Sequence, residues 1–217
     1  FEGDSGHAYR IIRGIKNRFG PPHEIGVFEM RDTGLAEVDN PSAFFLAERP
    51  EGAAGSVVVP SMEGTRPILI EVQSLVGSTS FGMPRRTAIG VDHNRVSLLT
   101  AVMDKICGIH LGASDIFLNV AGGVKVDETA IDLGIVSSMA SSFLNRPVAK
   151  GTVVFGEVGL TGEIRGISQT EVRIKEASRM GFARCILPRT RNREGAQRPN
   201  IELIPIRSLK ELTENLF

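Results

Sequence analysis

The chain has 217 residues, 25 Lys/Arg against 25 Asp/Glu, 24 glycines, few aromatics and no tryptophan. That length suits one domain plus a fragment, or two small domains, and the composition fits a strand-and-turn-rich α/β protein better than a helical bundle. Zero formal charge excludes a chain that seeks polyanions over its whole surface, and no apolar run approaches the ~18 residues of a membrane span.

In chain order, residues 8–15 are predicted as a strand, followed by shorter strands at 24–30 and 35–38. Asn40-Pro41-Ser42 opens a short helix through Phe44, Phe45 and Leu46. A domain boundary is expected across 49–55, where Pro, Gly and Ala cluster. Beyond it, Ser56-Val57-Val58-Val59 and residues 67–72 are expected to pair antiparallel around the turn Met62-Glu63-Gly64-Thr65, with a third strand at 85–91. Asp92 caps a helix whose face is Val96, Leu99, Val102 and Ile106, and residues 116–120 return as a strand. Next, Ile131, Ile135, Met139 and Phe143 recur every four positions, the stripe of a core-facing helix, with Ser137, Ser138, Ser141 and Ser142 on its flanks. Thr129 or Asp127 is its expected cap, and Asn145-Arg146-Pro147 its end. A strand at 152–155, a glycine-rich segment at 156–166 and a helix from Ser168, with Glu171 in capping-box spacing, follow. Strands at 185–187 and 201–204 and a last helix capped by Ser208 and Glu211 close the chain.

Residues 1–50 hold six Lys/Arg and eight Asp/Glu, leaving 19 and 17 for the rest, so any nucleic-acid surface has to be a local patch. Two patches stand out: Arg85 and Arg86 with Arg95, and Arg189, Arg191, Arg193 and Arg198. Several arginines on one loop would grip phosphates without regard to sequence and with strong salt dependence, although a solvated surface is the plainer reading of either patch. No aromatic interleaves them, so base stacking is not suggested. Cys107 and Cys185 are too few for a four-ligand zinc site or a disulfide framework and are expected to be reduced, buried thiols. The histidines show no ligand spacing. No signal peptide is read, and a cytoplasmic location is expected.

The series Asp127, the helix after it, Asn145-Arg146-Pro147-Val148, Gly156-Glu157, Gly166 and the helix after Ser168 resembles the peptidase domain of Lon proteases. In that family a Ser at the mouth of the first helix attacks the peptide and a Lys in the second takes its proton. Counted without gaps, the serine position falls on Ala130 and the lysine position on Arg173. Alanine has no nucleophile, and a guanidinium does not give up its proton at physiological pH. The competing reading is a working peptidase with a dyad displaced to Ser137 and Lys175, although Lys175 points about 200° around its helix from Arg173.

Lys16-Asn17-Arg18-Phe19-Gly20, with residues 24–30 and Asn40-Pro41-Ser42, resembles the end of the RecA-type ATPase core of the bacterial RadA/Sms family, which also ends in a Lon-like domain. The two resemblances together imply an α/β protein with residues 1–50 as the last strands of the ATPase core and 54–217 as the Lon-like domain. They also imply a homohexamer that binds single-stranded or branched DNA, works beside the RecA recombinase and drives branch migration. Lys16 and Arg18 lie two apart on an extended chain, project from one face and could reach a phosphate held by a neighbouring subunit. A solvated basic strand end is the alternative. No phosphate-binding Gly-x-x-x-x-Gly-Lys-Ser/Thr loop occurs, because Met83 stands where the lysine after Gly77 and Gly82 would be. The RadA resemblance implies that ATP with magnesium and a four-cysteine zinc module belong to other parts of such a protein.

Overall fold

The computed structural model describes residues 9–14, 25–79, 82–189 and 200–217. Strands β1 (Tyr9–Arg13), β2 (Ile25–Arg31) and β3 (Gly34–Glu37) form a small antiparallel sheet in sequence order, with Ile11 opposite Val27 and both buried. Helix α1 (Pro41–Leu46) follows, and the Asn40 side chain accepts a hydrogen bond from the Ala43 N–H at 3.2 Å.

The rest of the chain builds a seven-stranded sheet. It contributes β4 (Ser56–Glu63), β5 (Arg66–Ser78), β6 (Arg86–Ile89), α2 (His93–Val102), β7 (Ser114–Val120), α3 (Asp132–Leu144) and β8 (Thr152–Val154). The hairpin β9 (Glu157–Val158) and β10 (Ile164–Arg165) comes next, then α4 (Thr170–Arg179), β11 (Arg184–Pro188), β12 (Glu202–Ile206) and α5 (Leu209–Asn215). The strand order is β12-β11-β8-β4-β5-β7-β6. The β4–β5 and β5–β7 pairs are antiparallel and the other four are parallel, so this is a mixed α/β sheet with mostly parallel neighbours. Along the β4–β8 seam only Val58 and Val153 stand in register.

Helices cover both faces. Val57, Val59, Ile68, Ile70 and Val72 pack with Val96, Leu99, Ile135 and Met139 of α2 and α3, while Val58, Leu69, Val153 and Cys185 pack with Ile174 and Ala177 of α4. Burial on both sides is why β4 reads as unbroken valine instead of alternating with polar residues. Helix α1 joins the second face: Ser42 Oγ donates to Glu176 at 2.5 Å and accepts from the Leu69 N–H at 3.1 Å.

Several local expectations need correcting. Strands β4 and β5 run beyond 56–59 and 67–72, because the turn between them shrinks to Gly64-Thr65, with Gly64 at φ +62°. Helix α3 starts after a 3-10 turn, Thr129–Ile131, and neither Asp127 nor Thr129 caps it; the Thr129 hydroxyl donates to Glu157 at 2.8 Å. Ser137, Ser138 and Ser141 are wholly buried and Phe143 is exposed, because α3 is enclosed almost all round and its hydroxyls find partners inside. Ser138 meets Ser74 at 2.6 Å, and Ser141 accepts from the Gly55 N–H at 2.9 Å. Helix α4 begins at Thr170 after Gln169 in left-handed conformation, with no side-chain cap from Ser168.

Candidate functional site

The segment between β7 and α3 enters at Val126, whose N–H donates to the Gly90 carbonyl at 2.8 Å, and carries Glu128 to the end of β4. The Glu128 carboxylate accepts from Ser61 Oγ at 2.9 Å, from the Met62 N–H at 2.8 Å and from both terminal nitrogens of Arg173, at 2.9 and 2.6 Å. Arg173, one turn into α4, is 1% exposed. It also donates to the carbonyls of Pro60 at 2.6 Å and Ser168 at 3.3 Å. A bidentate guanidinium–carboxylate pair thus ties β4, the loop before α3 and α4 together. Two residues after Glu128, Ala130 is 2% exposed, and its carbonyl accepts from the Gly156 N–H at 2.7 Å. Arg173 reaches the segment that carries Ala130 through Glu128.

The displaced pair is not poised for proton transfer. Ser137 is fully buried with its hydroxyl donating to the Leu133 carbonyl at 2.6 Å, whereas Lys175 is exposed on α4.

Arg95 is not part of a free basic patch. Its Nε donates to Asp132 Oδ1 at 2.8 Å, its second nitrogen to Oδ2 and to the Val158 carbonyl, and the Val158 N–H donates to the same carboxylate at 3.1 Å. Burial pushes the Asp132 carboxyl above its ordinary value, against the pull of Arg95 and of the Val158 N–H. Arg85 stays largely exposed but pairs with Asp115, which accepts its backbone N–H at 2.8 Å and its guanidinium at 3.0 Å. Those bonds hold Asp115 below the usual carboxylate range, the backbone N–H most of all. Arg86 is half-buried, and its Nε has no partner among the described residues. Arg189 is exposed and donates to the Pro205 carbonyl at 3.3 Å. Arg191, Arg193 and Arg198 lie outside the described residues, as do Lys16, Asn17, Arg18, Phe19 and Gly20.

Among the described residues no three His, Cys, Asp or Glu side chains gather as a metal site, and no helix is long and apolar enough to cross a membrane. Neither Cys107 nor Cys185 is in a disulfide; Cys185 is buried as expected, whereas Cys107 is only half-buried, and burial still pushes its thiol up. Sequence reasoning missed Glu128 and Asp132. Asp132 carried a signal, since a carboxylate set among apolar helix positions is rarely buried without a partner.

Residues 70–191, from within β5 to just past β11, match the family model described as subunit ChlI of Mg-chelatase, and this stretch belongs to that family. Over nearly its whole length the chain is similar to proteins named DNA repair protein RadA. It is 53% identical over 215 residues to that of Halalkalibacterium halodurans, covering 99% of this chain and 47% of the relative. Identity is 55% over 212 residues in Bacillus subtilis, covering 97% and 46%. In Streptococcus pyogenes it is 48% over 217 residues, covering 100% and 48%. The chain belongs to the RadA family. It spans about half the length of these RadA relatives. Membership agrees with the resemblance carried by Lys16-Asn17-Arg18-Phe19-Gly20 and Asn40-Pro41-Ser42.

Proposed function

We propose that the chain is the DNA-engaging and subunit-assembling part of a RadA-type DNA repair ATPase, built on a Lon-type peptidase fold that no longer cuts. The observation that carries this reading is the Arg173–Glu128 pair. Where the Lon resemblance puts a lysine able to take a proton, there is a guanidinium, which offers no basic lone pair, with both terminal nitrogens engaged by a carboxylate. The serine position holds Ala130, so neither half of the proton transfer has a chemical basis.

In this reading residues 1–50 are the last strands of a RecA-like ATPase core, with Lys16 and Arg18 reaching a neighbouring subunit's nucleotide, and 54–217 are the Lon-like domain. ATP with magnesium and a zinc module belong to the remaining half of the relatives' length. The whole protein would assemble as a cytoplasmic homohexamer, bind single-stranded or branched DNA, act beside the RecA recombinase and move branches. Family membership supports the repair role, since the relatives are named for DNA repair.

Labelled casein and labelled single-stranded DNA test both halves. No peptide release is expected, and DNA affinity should fall steeply with salt. Casein turnover that vanishes in Ser137→Ala or Lys175→Gln would overturn the dead-peptidase half; salt-insensitive binding, or none, would overturn the DNA half.

A further inference from the structure

Among the described arginines that stand out in the sequence, Arg95 is held by Asp132 and Arg85 by Asp115, so cations outside such pairs are better placed to meet a phosphate. Lys105, Arg207 and Lys210 are exposed, none of the three is in an ion pair among the described residues, and they line one open pocket of about 430 Å³ with Ile106, Gly162 and Glu163. By contrast, Arg95 is held by Asp132, Arg165 by Glu157 and Glu163, Arg179 by Glu176, and Lys150 by Glu51.

The pocket is built by backbone, which sets it apart from a chance gathering of surface charge. The Ile164 N–H donates to the Arg207 carbonyl at 2.8 Å and the Leu209 N–H to the Gly162 carbonyl at 2.9 Å, stitching the tip of the β9–β10 hairpin to the corner between β12 and α5. Gly162, at φ +80°, lies so close to Ile106 that a Cβ there would stand 2.6 Å from its Cγ2. Lys105 and Ile106 come from a single π-helical turn, Met103–Cys107, that ends α2. An extra residue wound into a helix end is costly, and such turns recur at functional sites. Asp104 in the same turn accepts from the Gly112 N–H at 3.3 Å, anchoring the loop that follows. The one carboxylate lining the pocket, Glu163, is ionised, its carboxyl held down at about 2, but its charge is offset by Arg165, whose Nε donates to it at 2.9 Å, and Thr161 Oγ1 donates to it at 2.6 Å.

We propose that this pocket binds a phosphate group, with Lys105, Arg207 and Lys210 as its ligands. The source is a DNA backbone if the nucleic-acid reading above holds, and a free phosphate otherwise. Three cations around one concavity gather a diester or monoester oxyanion in a way that exposed, paired charges cannot.

The test uses the full chain and the triple variant Lys105→Gln, Arg207→Gln, Lys210→Gln, with Lys105→Gln alone as the mildest change and Lys150→Gln as control. Binding of fluorescein-labelled oligothymidylate is followed across a salt series, and binding of inorganic phosphate by calorimetry. With three backbone contacts at ~0.7 each on a single strand, the slope of log K against log salt should shrink by about two in the triple variant and stay put in the control. If only phosphate binding is lost, the pocket stands and its ligand is a free phosphate. If the unaltered chain binds no DNA, the nucleic-acid reading fails, while loss of phosphate binding in the triple variant still upholds the pocket. Unchanged DNA slope together with unchanged phosphate binding overturns the proposal.

Discussion

At the scale of single residues, the buried pairs matter more than the exposed charges. Arg173→Ala would leave Glu128 facing Ser61 and the Met62 N–H without its counter-charge, and breaking such a pair costs about 3–5 kcal/mol. Arg173→Lys keeps the charge but not the two-pronged geometry and should fall between, as denaturant unfolding would read out. Asp132 gives a pH signature. Its carboxyl lies above the ordinary value when folded, so the native state binds that proton more tightly than the unfolded chain. The group's favourable contribution is therefore complete below the unfolded pKa and is lost as pH rises through the folded one. Removing the opposing guanidinium with Arg95→Ala should deepen that loss, so the variant's deficit in unfolding free energy grows between acidic and neutral pH. A deficit that stayed flat with pH would show that Asp132 does not titrate in this way.

At the scale of elements, the legible parts are those decided by neighbours in sequence. Asn40 and Asp92 cap their helices as expected because the acceptor and the N–H three residues on need nothing else, at 3.2 and 2.8 Å. Thr129, Ser168 and Ser208 were read by the same rule and none caps its helix with its side chain. The Thr129 hydroxyl is taken by Glu157, the Ser168 carbonyl by Arg173, and the Ser208 hydroxyl points to Glu211 at 3.4 Å. Only Thr129 is drawn off by a partner distant in sequence, which no local pattern announces; the bonds at Ser168 and Ser208 stay within their own turns. Helix α3 shows the same limit: its apolar stripe was visible, but not that its serines would be enclosed. A Cβ at Gly134 would meet Val59 Cγ1 at 2.1 Å, so α3 lies hard against β4. In Gly134→Ala the helix gains up to about 1 kcal/mol of propensity, while forcing a methyl into a packed contact costs about 1–3 kcal/mol. The clash should win, and the variant should melt lower; a higher midpoint would mean β4 yields.

For the molecule as a whole, the mixed α/β character could be read from the strand and helix patterns, and the family from motifs spread along the chain. The positions that the Lon resemblance assigns to its dyad, Ala130 and Arg173, come from counting along the sequence, but the partner that makes Arg173 tolerable in the interior, Glu128, does not, because it meets Arg173 only through the fold. The relation of the two predicted parts was also hidden. Helix α1 lies before the boundary expected at 49–55, yet Ser42 bonds Glu176 and Leu69, and Phe45 is buried. A protein beginning at residue 54 should therefore unfold at lower temperature than one beginning at 39, since it bares Leu69 and leaves Glu176 without its hydroxyl donor. Equal midpoints would make α1 a passive passenger.

The seam between β4 and β8 carries one further implication. With Val58 and Val153 as its single registered rung, the sheet resembles two panels closed by the helices laid across them more than one continuous ladder. Slow amide exchange should divide along that line, with the β8–β11–β12 panel opening as its own cooperative block and at a lower free energy than the β5–β7 panel, whose long ladder runs from Val72 to Ser78.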